Sequence, residues 1–107
     1  MSHSPVVHIV LVRWKREVSS AVLDELTEGA HALADAVPGV LDVACGPNTS
    51  PEGLAGGFDW ALVVDFVSSA ARDDYLPHPA HRPVAELITQ WAEQVVVFDV
   101  AASSGDR

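Results

Sequence analysis

Cysteine occurs once in the 107 residues, as Cys45. No internal disulfide can form, and nothing requires an oxidising compartment. Basic residues are also scarce: six stand against fifteen acidic ones, only one of them lysine, for a net charge of −9. Such a surface repels a phosphate backbone and an anionic bilayer, which excludes nucleic acid and membrane as expected partners. Long hydrophobic runs are missing too. The longest are about seven residues, far short of the roughly 20 that a membrane-spanning helix needs. Met1 to Pro5 is polar and lacks the basic start of a signal peptide. Together these absences lead to the expectation of a soluble, cytoplasmic protein.

The length allows one domain. A chain of this size buries roughly two-thirds of its unfolded surface, enough for one core without staples. Hydrophobic residues make up 49%, high for a small monomer. Val6–Trp14 is short, β-branched and almost wholly apolar, which predicts a strand with His8, Val10, Val12 and Trp14 on one face and Val7, Ile9 and Leu11 on the other. Ser19 or Ser20 can cap a helix whose Leu23, Leu26, Ala30, Leu33 and Val37 make one apolar stripe, ended by Pro38-Gly39. His31 lies off that stripe, on the solvated side. Val40–Cys45 predicts a second strand. Residues 46–57 form a loop long enough to be a lid or a contact between subunits, without the spacing or the lysine of a phosphate-binding loop. Phe58–Phe66 predicts a third strand, Ser68 or Ser69 caps a short helix to Tyr75, and Pro83 suits the first turn of another helix with Val84, Leu87, Ile88 and Trp91 as its stripe. Val95–Val100 predicts the last strand. The domain is expected over 6–100, with a flexible arm at 1–5 and a disordered tail at 101–107.

The order β-α-β-β-α-α-β predicts an α+β, ferredoxin-like split βαβ fold: a four-stranded antiparallel sheet with helices on one face. Strands one, three and four are apolar on both sides, although a strand facing water should alternate. Packing two sheets face to face across a two-fold axis resolves this, so the strand pattern predicts a homodimer.

Chemistry concentrates in Tyr75-Leu76-Pro77-His78-Pro79-Ala80-His81. One phenol and two imidazoles fall within seven residues, and the prolines bias Leu76 and His78 away from helix. A stiff turn carrying groups that exchange protons suits general acid–base work. Such turns also use histidine simply to satisfy backbone groups. Trp14, Trp60 and Trp91 fall on apolar faces and are expected in the core or an interface.

Several segments together resemble the stress-responsive A/B barrel domain family, the dimeric α+β barrel proteins. They are His8-Ile9-Val10-Leu11, Pro38-Gly39-Val40, the loop with Gly46, Asn48, Ser50 and Glu52 leading to Gly57-Phe58, the Tyr75–His81 motif, and Phe98-Asp99. The resemblance runs from about Val6 to Val100. It implies a barrel made from the sheets of two subunits, with a small-molecule cavity beside each sheet. A plant polyketide cyclase of this family closes a linear tetraketide-CoA by an aldol reaction without cofactor or metal, using the motif's tyrosine and second histidine. By position these are Tyr75 and His81, the implied catalytic pair. His8, Val10, Val12, Leu26, Ala30 and Val84 are the implied substrate-binding residues, and His78 and Pro79 the structural turn. The chain departs from that cyclase at Leu26, Thr27 and Ala30, where the plant protein presents bulky aromatics, and at Trp91-Ala92, where it has a Phe-Trp pair.

An aldol cyclisation needs a base to take a proton between two carbonyls and a donor for the oxyanion that forms. Neutral imidazole suits the first task and a phenol O–H the second. Accordingly His81 is expected as general base, Tyr75 as donor or as the group that orients the thioester, and His8 as a group that holds the imidazole or binds a carbonyl. The competing expectations are a non-catalytic stress-responsive ligand-binding protein with the same cavity, and a metal or haem site built on His78, His81 and His8, which lacks a cysteine or carboxylate at ligand spacing.

Overall fold

The computed structural model describes residues 4–102. Its elements are β1 (Val6–Trp14), α1 (Ser20–Ala36), β2 (Val40–Pro47), β3 (Trp60–Phe66), α2 (Ser69–Tyr75), α3 (His81–Trp91) and β4 (Ala92–Ala101). The sheet order is β2-β3-β1-β4, with every neighbouring pair antiparallel. This is the expected α+β, ferredoxin-like arrangement. The first two residues of the tail expected at 101–107 are ordered instead: Ala101 ends β4, and the Ala102 N–H bonds the Pro5 carbonyl at 2.8 Å. The rest of that tail, 103–107, and residues 1–3 of the expected arm lie outside the described residues.

Alternation along the two central strands assigns the sheet faces. Val6, His8, Val10 and Val12 of β1 and Trp60, Leu62, Val64 and Phe66 of β3 are buried, while the residues between them are half-buried. The buried set meets Leu26, Ala30 and Leu33 of α1, Tyr75 of α2, and Val84 and Ile88 of α3. The other face carries no helix. Its residues at the pairs Val7–Val100, Ile9–Phe98 and Leu11–Val96 are apolar, Asp65 stands beside Val7 at one end, and Phe98 is 62% exposed.

The helix starts follow from local chemistry. The Ser19 hydroxyl accepts the Val22 N–H at 3.3 Å and the Ser68 hydroxyl accepts the Ala71 N–H at 3.2 Å, so the first of each expected serine pair is the cap. At the turn after α1, Gly39 has φ +88°, and a Cβ there would lie 2.6 Å from the Ala71 Cβ. Only glycine allows both this backbone and the close approach of α2.

Three boundaries differ from the sequence expectation. β2 runs on to Pro47, where a missing N–H does no harm at the end of an edge strand. β3 starts at Trp60, because the Asp59 N–H is taken by the Val12 carbonyl and the Asp59 carboxylate accepts the Trp14 N–H. β4 begins at Ala92, directly after α3, since β1 is long enough to pair with it as far as Trp14. No described helix is long and apolar enough to cross a membrane.

Candidate active site

The turn between α2 and α3 uses its two histidines differently. The His78 N–H bonds the Tyr75 carbonyl at 2.9 Å and the His81 N–H bonds the His78 carbonyl at 3.0 Å. His78 Nδ1 accepts the Ala80 N–H at 3.0 Å, so this ring braces the backbone of the turn. His81 sits in the first turn of α3, with Nδ1 2.9 Å from the Leu76 carbonyl oxygen. A carbonyl only accepts, so Nδ1 carries the proton and Nε2 of the neutral ring carries the lone pair.

Tyr75 closes α2 with its side chain fully buried. Its ring lies 4.3 Å from the His81 ring, 5.0 Å from Phe66 and 5.8 Å from His8, measured between centroids. The hydroxyl is shut off from solvent and has no hydrogen-bond partner. Burial pushes the phenol well above its usual range, so it remains a donor at neutral pH. His81 is held below the usual imidazole range, first by burial and then by the nearby His8, against the opposing bond to Leu76. Its lone pair therefore stays available at neutral pH.

His8 reaches the same place from β1. Its register partner on β4 is Asp99, and His8 Nδ1 lies 2.7 Å from Asp99 Oδ1. The other carboxylate oxygen is bonded by Arg72 of α2, whose Nε also contacts Asp73 at 2.9 Å. Burial works to raise the Asp99 pKa, but the bonds from Arg72 and His8 outweigh it and hold the carboxyl below its ordinary value. Asp99 thus stays ionised and accepts from His8, which leaves the lone pair of the neutral His8 ring on Nε2.

A cavity of about 280 Å³ is bounded by His8, Val10, Tyr75, His81 and Val84 together with Leu62, Leu76, Ala85, Ile88, Thr89, Val95 and Val97. Five side chains singled out from sequence therefore meet in one wall. Val12, Leu26 and Ala30, expected to bind substrate, do not line it. They are 0% exposed and fill the interior between α1 and the sheet. His78 also stays out of the wall, and no group of three His, Cys, Asp or Glu side chains among the described residues could hold a metal ion.

Sequence reasoning missed Asp99 and Arg72 as members of the site. A lone carboxylate in the apolar run Val95–Val100 was the available signal for Asp99, but only strand register pairs it with His8. A second cavity of about 240 Å³ lies under the loop at 48–59, between Leu54, Ala55, Phe58, Leu11 and Ala61, and has no titratable group in its wall.

A small ferredoxin-like α+β domain with a phenol and two imidazoles in one apolar cavity defines the class. Residues 6–102 match the Stress responsive A/B Barrel Domain, and the chain belongs to that family. It is similar to olivetolic acid cyclase of Cannabis sativa, 26% identical over 94 residues, which cover 88% of this chain and 93% of that protein. Similarity to the stress-response A/B barrel domain-containing protein HS1 of Arabidopsis thaliana is 29% over 100 residues, covering 94% of this chain and 92% of that one. Among solved structures, a dimeric ferredoxin-like protein of unknown function from Thermobifida fusca superposes with a TM-score of 0.80 at 25% identity, covering 94% of this chain and 92% of the other.

Proposed function

We propose that the protein is a homodimeric, cofactor-independent enzyme that closes polyketide-like substrates by an aldol reaction. One observation carries this reading: the bond from His81 Nδ1 to Leu76 leaves a lone pair on Nε2 of a ring whose centroid lies 4.3 Å from that of Tyr75, the Tyr75 hydroxyl has no partner, and both residues line one apolar cavity. Similarity over nearly the full chain to olivetolic acid cyclase supports the choice of reaction.

In the proposed step, His81 Nε2 removes a proton from the carbon between two carbonyls. The C–H electron pair forms the new C–C bond to a distant carbonyl carbon, and that carbonyl's π pair becomes an alkoxide. Tyr75 donates a hydrogen bond to the alkoxide, which then takes the proton back from the His81 imidazolium. A single donor aimed at a developing oxyanion contributes about 10²–10³ in rate. The Tyr75 hydroxyl touches no solvent in this conformation, so substrate has to part the cavity wall to reach it.

The helix-free sheet face supports the dimer. Val7, Ile9, Leu11, Val63, Val96, Phe98 and Val100 would otherwise meet water as one apolar surface, and a two-fold pairing of sheets covers it. The loop at 48–59 borders that face through Leu11 and Ala61 and would adjoin the partner.

The test is incubation with a linear tetraketide-CoA thioester and analysis of products by liquid chromatography and mass spectrometry. The expected result is cyclised product above the buffer rate, reduced about a hundredfold or more in Tyr75→Phe and likewise lost in His81→Asn. Tight binding of the thioester without product would instead identify a ligand-binding protein.

A further inference from the structure

We propose that Arg72, acting through Asp99, is a positioning residue that fixes the hydrogen-bonding polarity of the cavity, so that the site selects neutral ligands carrying an enol or phenol hydroxyl together with a carbonyl. The inference rests on the cavity being the ligand site, as in the reading above, and does not need turnover.

A guanidinium can only donate and an ionised carboxylate can only accept. Arg72 occupies one oxygen of Asp99, and the other oxygen receives the His8 Nδ1–H at 2.7 Å. The chain Arg72–Asp99–His8 therefore runs in one direction, and in the neutral form of His8 it ends with a bare Nε2. His81 ends the same way, because its Nδ1–H is spent on the Leu76 carbonyl. Among the described residues neither Nε2 has a protein partner, and the Tyr75 O–H has none.

The site thus offers two acceptors and, once a ligand has parted the wall to reach Tyr75, one donor, and apart from Thr89 the rest of the lining side chains are apolar. No carboxylate or guanidinium lines it, so nothing there neutralises an anionic ligand. A simple ketone or ether offers acceptors only and leaves both imidazole nitrogens without a partner. An enolised dicarbonyl or an acylphenol offers a hydroxyl hydrogen to an imidazole and a carbonyl oxygen to the phenol. Matching one buried acceptor in this way corresponds to at least about tenfold in affinity. This polarity also revises the expected role of His8: in its neutral form it receives a hydroxyl hydrogen and cannot donate to a carbonyl.

The decisive variant is Asp99→Asn, which keeps the shape of the side chain. Arg72 still requires an acceptor and takes the amide oxygen. The amide NH₂ is then turned toward His8 Nδ1 and donates to it, so the His8 proton moves to Nε2. Replacing a histidine's carboxylate partner with an amide produces this kind of tautomer reversal in serine proteases.

The measurements are ¹⁵N–¹H correlation spectra of the imidazole nitrogens in the full chain, and NMR titrations with 3′-hydroxyacetophenone and 3′-methoxyacetophenone. The wild type is expected to hold its His8 proton on Nδ1 and to bind the hydroxy compound at least about tenfold more tightly than the methoxy compound. Asp99→Asn is expected to move the proton to Nε2 and to abolish or reverse the preference. Arg72→Lys retains a donor and is expected to preserve both wild-type features. In the double variant Asp99→Asn with Arg72→Gln, a side chain at 72 that can also accept frees the amide to turn, and the His8 proton is expected to return at least partly to Nδ1.

A wild-type His8 protonated on Nε2, equal affinity for the two probes, or no binding of either would overturn the proposal. So would an Asp99→Asn protein with unchanged tautomer and preference. The wild-type measurements decide the matter even if that variant fails to fold. A protein with the expected tautomer and preference that forms no cyclised product refutes the catalytic reading alone. One that cyclises the thioester with His8 protonated on Nε2 refutes the polarity alone.

Discussion

Replacing Tyr75 by phenylalanine removes one oxygen atom and separates two roles of the ring. The hydroxyl is buried without a partner, and leaving such a group unsatisfied costs about 1–3 kcal/mol. The ring's contacts with Phe66, His8 and His81 remain available to phenylalanine. Tyr75→Phe is therefore expected to stabilise the ligand-free protein by about 1 kcal/mol or more. For a domain of this size that is a rise in Tm of roughly 4–8 °C per kcal/mol. Urea denaturation and calorimetry at one fixed protomer concentration measure it, since a dimer's stability depends on concentration. In the same variant, cyclisation should fall by about 10²–10³ through loss of the oxyanion donor. Stability would then be exchanged for function at a single atom. A loss of 1 kcal/mol or more in the variant would refute the reasoning, because it would mean that the hydroxyl is bonded in solution and that the phenol serves the fold. Gained stability with unchanged turnover would keep the packing argument and remove Tyr75 from the chemistry.

Leu26→Ala should cost about 2–5 kcal/mol in denaturant unfolding, as expected for a fully buried leucine, yet leave affinity for cavity ligands unchanged, because Leu26 is interior rather than wall. Phe98→Asp puts a charge on the helix-free sheet face, on edge strand β4 opposite Ile9, and should convert the proposed dimer to monomer in native mass spectrometry; an intact dimer would place the interface elsewhere. His81 supplies a pH signature. Its native imidazole is lowered, chiefly by burial, so between that value and about 6.5 the unfolded chain binds more protons than the native one. The associated stability is present above about pH 6.5 and is lost as pH falls through that window. Denaturation profiles between about pH 5 and 7 should show His81→Asn with a flatter acid limb than the wild type.

Local chemistry was legible without a fold. Serine caps, the Pro38-Gly39 stop and the short β-branched apolar runs fixed the element order, and that order the ferredoxin-like class, since each signal depends only on neighbours in the chain. The motif from Tyr75 to His81 was equally visible, because its prolines, phenol and imidazoles are contiguous. Less visible was the division of labour within it. His78 and His81 look alike in sequence, and only the path of the turn gives one to the Ala80 N–H and the other to the Leu76 carbonyl.

Helical spacing placed Leu26 and Ala30 on an inward face, but inward does not mean toward the cavity. The structure buries both beneath α1, while the cavity opens between α3 and the exposed side chains of β4, with Val97 58% exposed. Asp99 and Arg72 are the clearest case. They are 27 residues apart, and Asp99 is 91 residues from His8. Antiparallel pairing of β1 with β4 sets Asp99 across from His8, and α2 then lays Arg72 against it. The sequence by itself determined which groups were available and how each segment would fold, because propensity, capping and periodicity are local. Tertiary structure alone decided which of those groups meet and which nitrogen of each imidazole keeps its proton, because hydrogen bonds between distant residues exist only once the strands are in register.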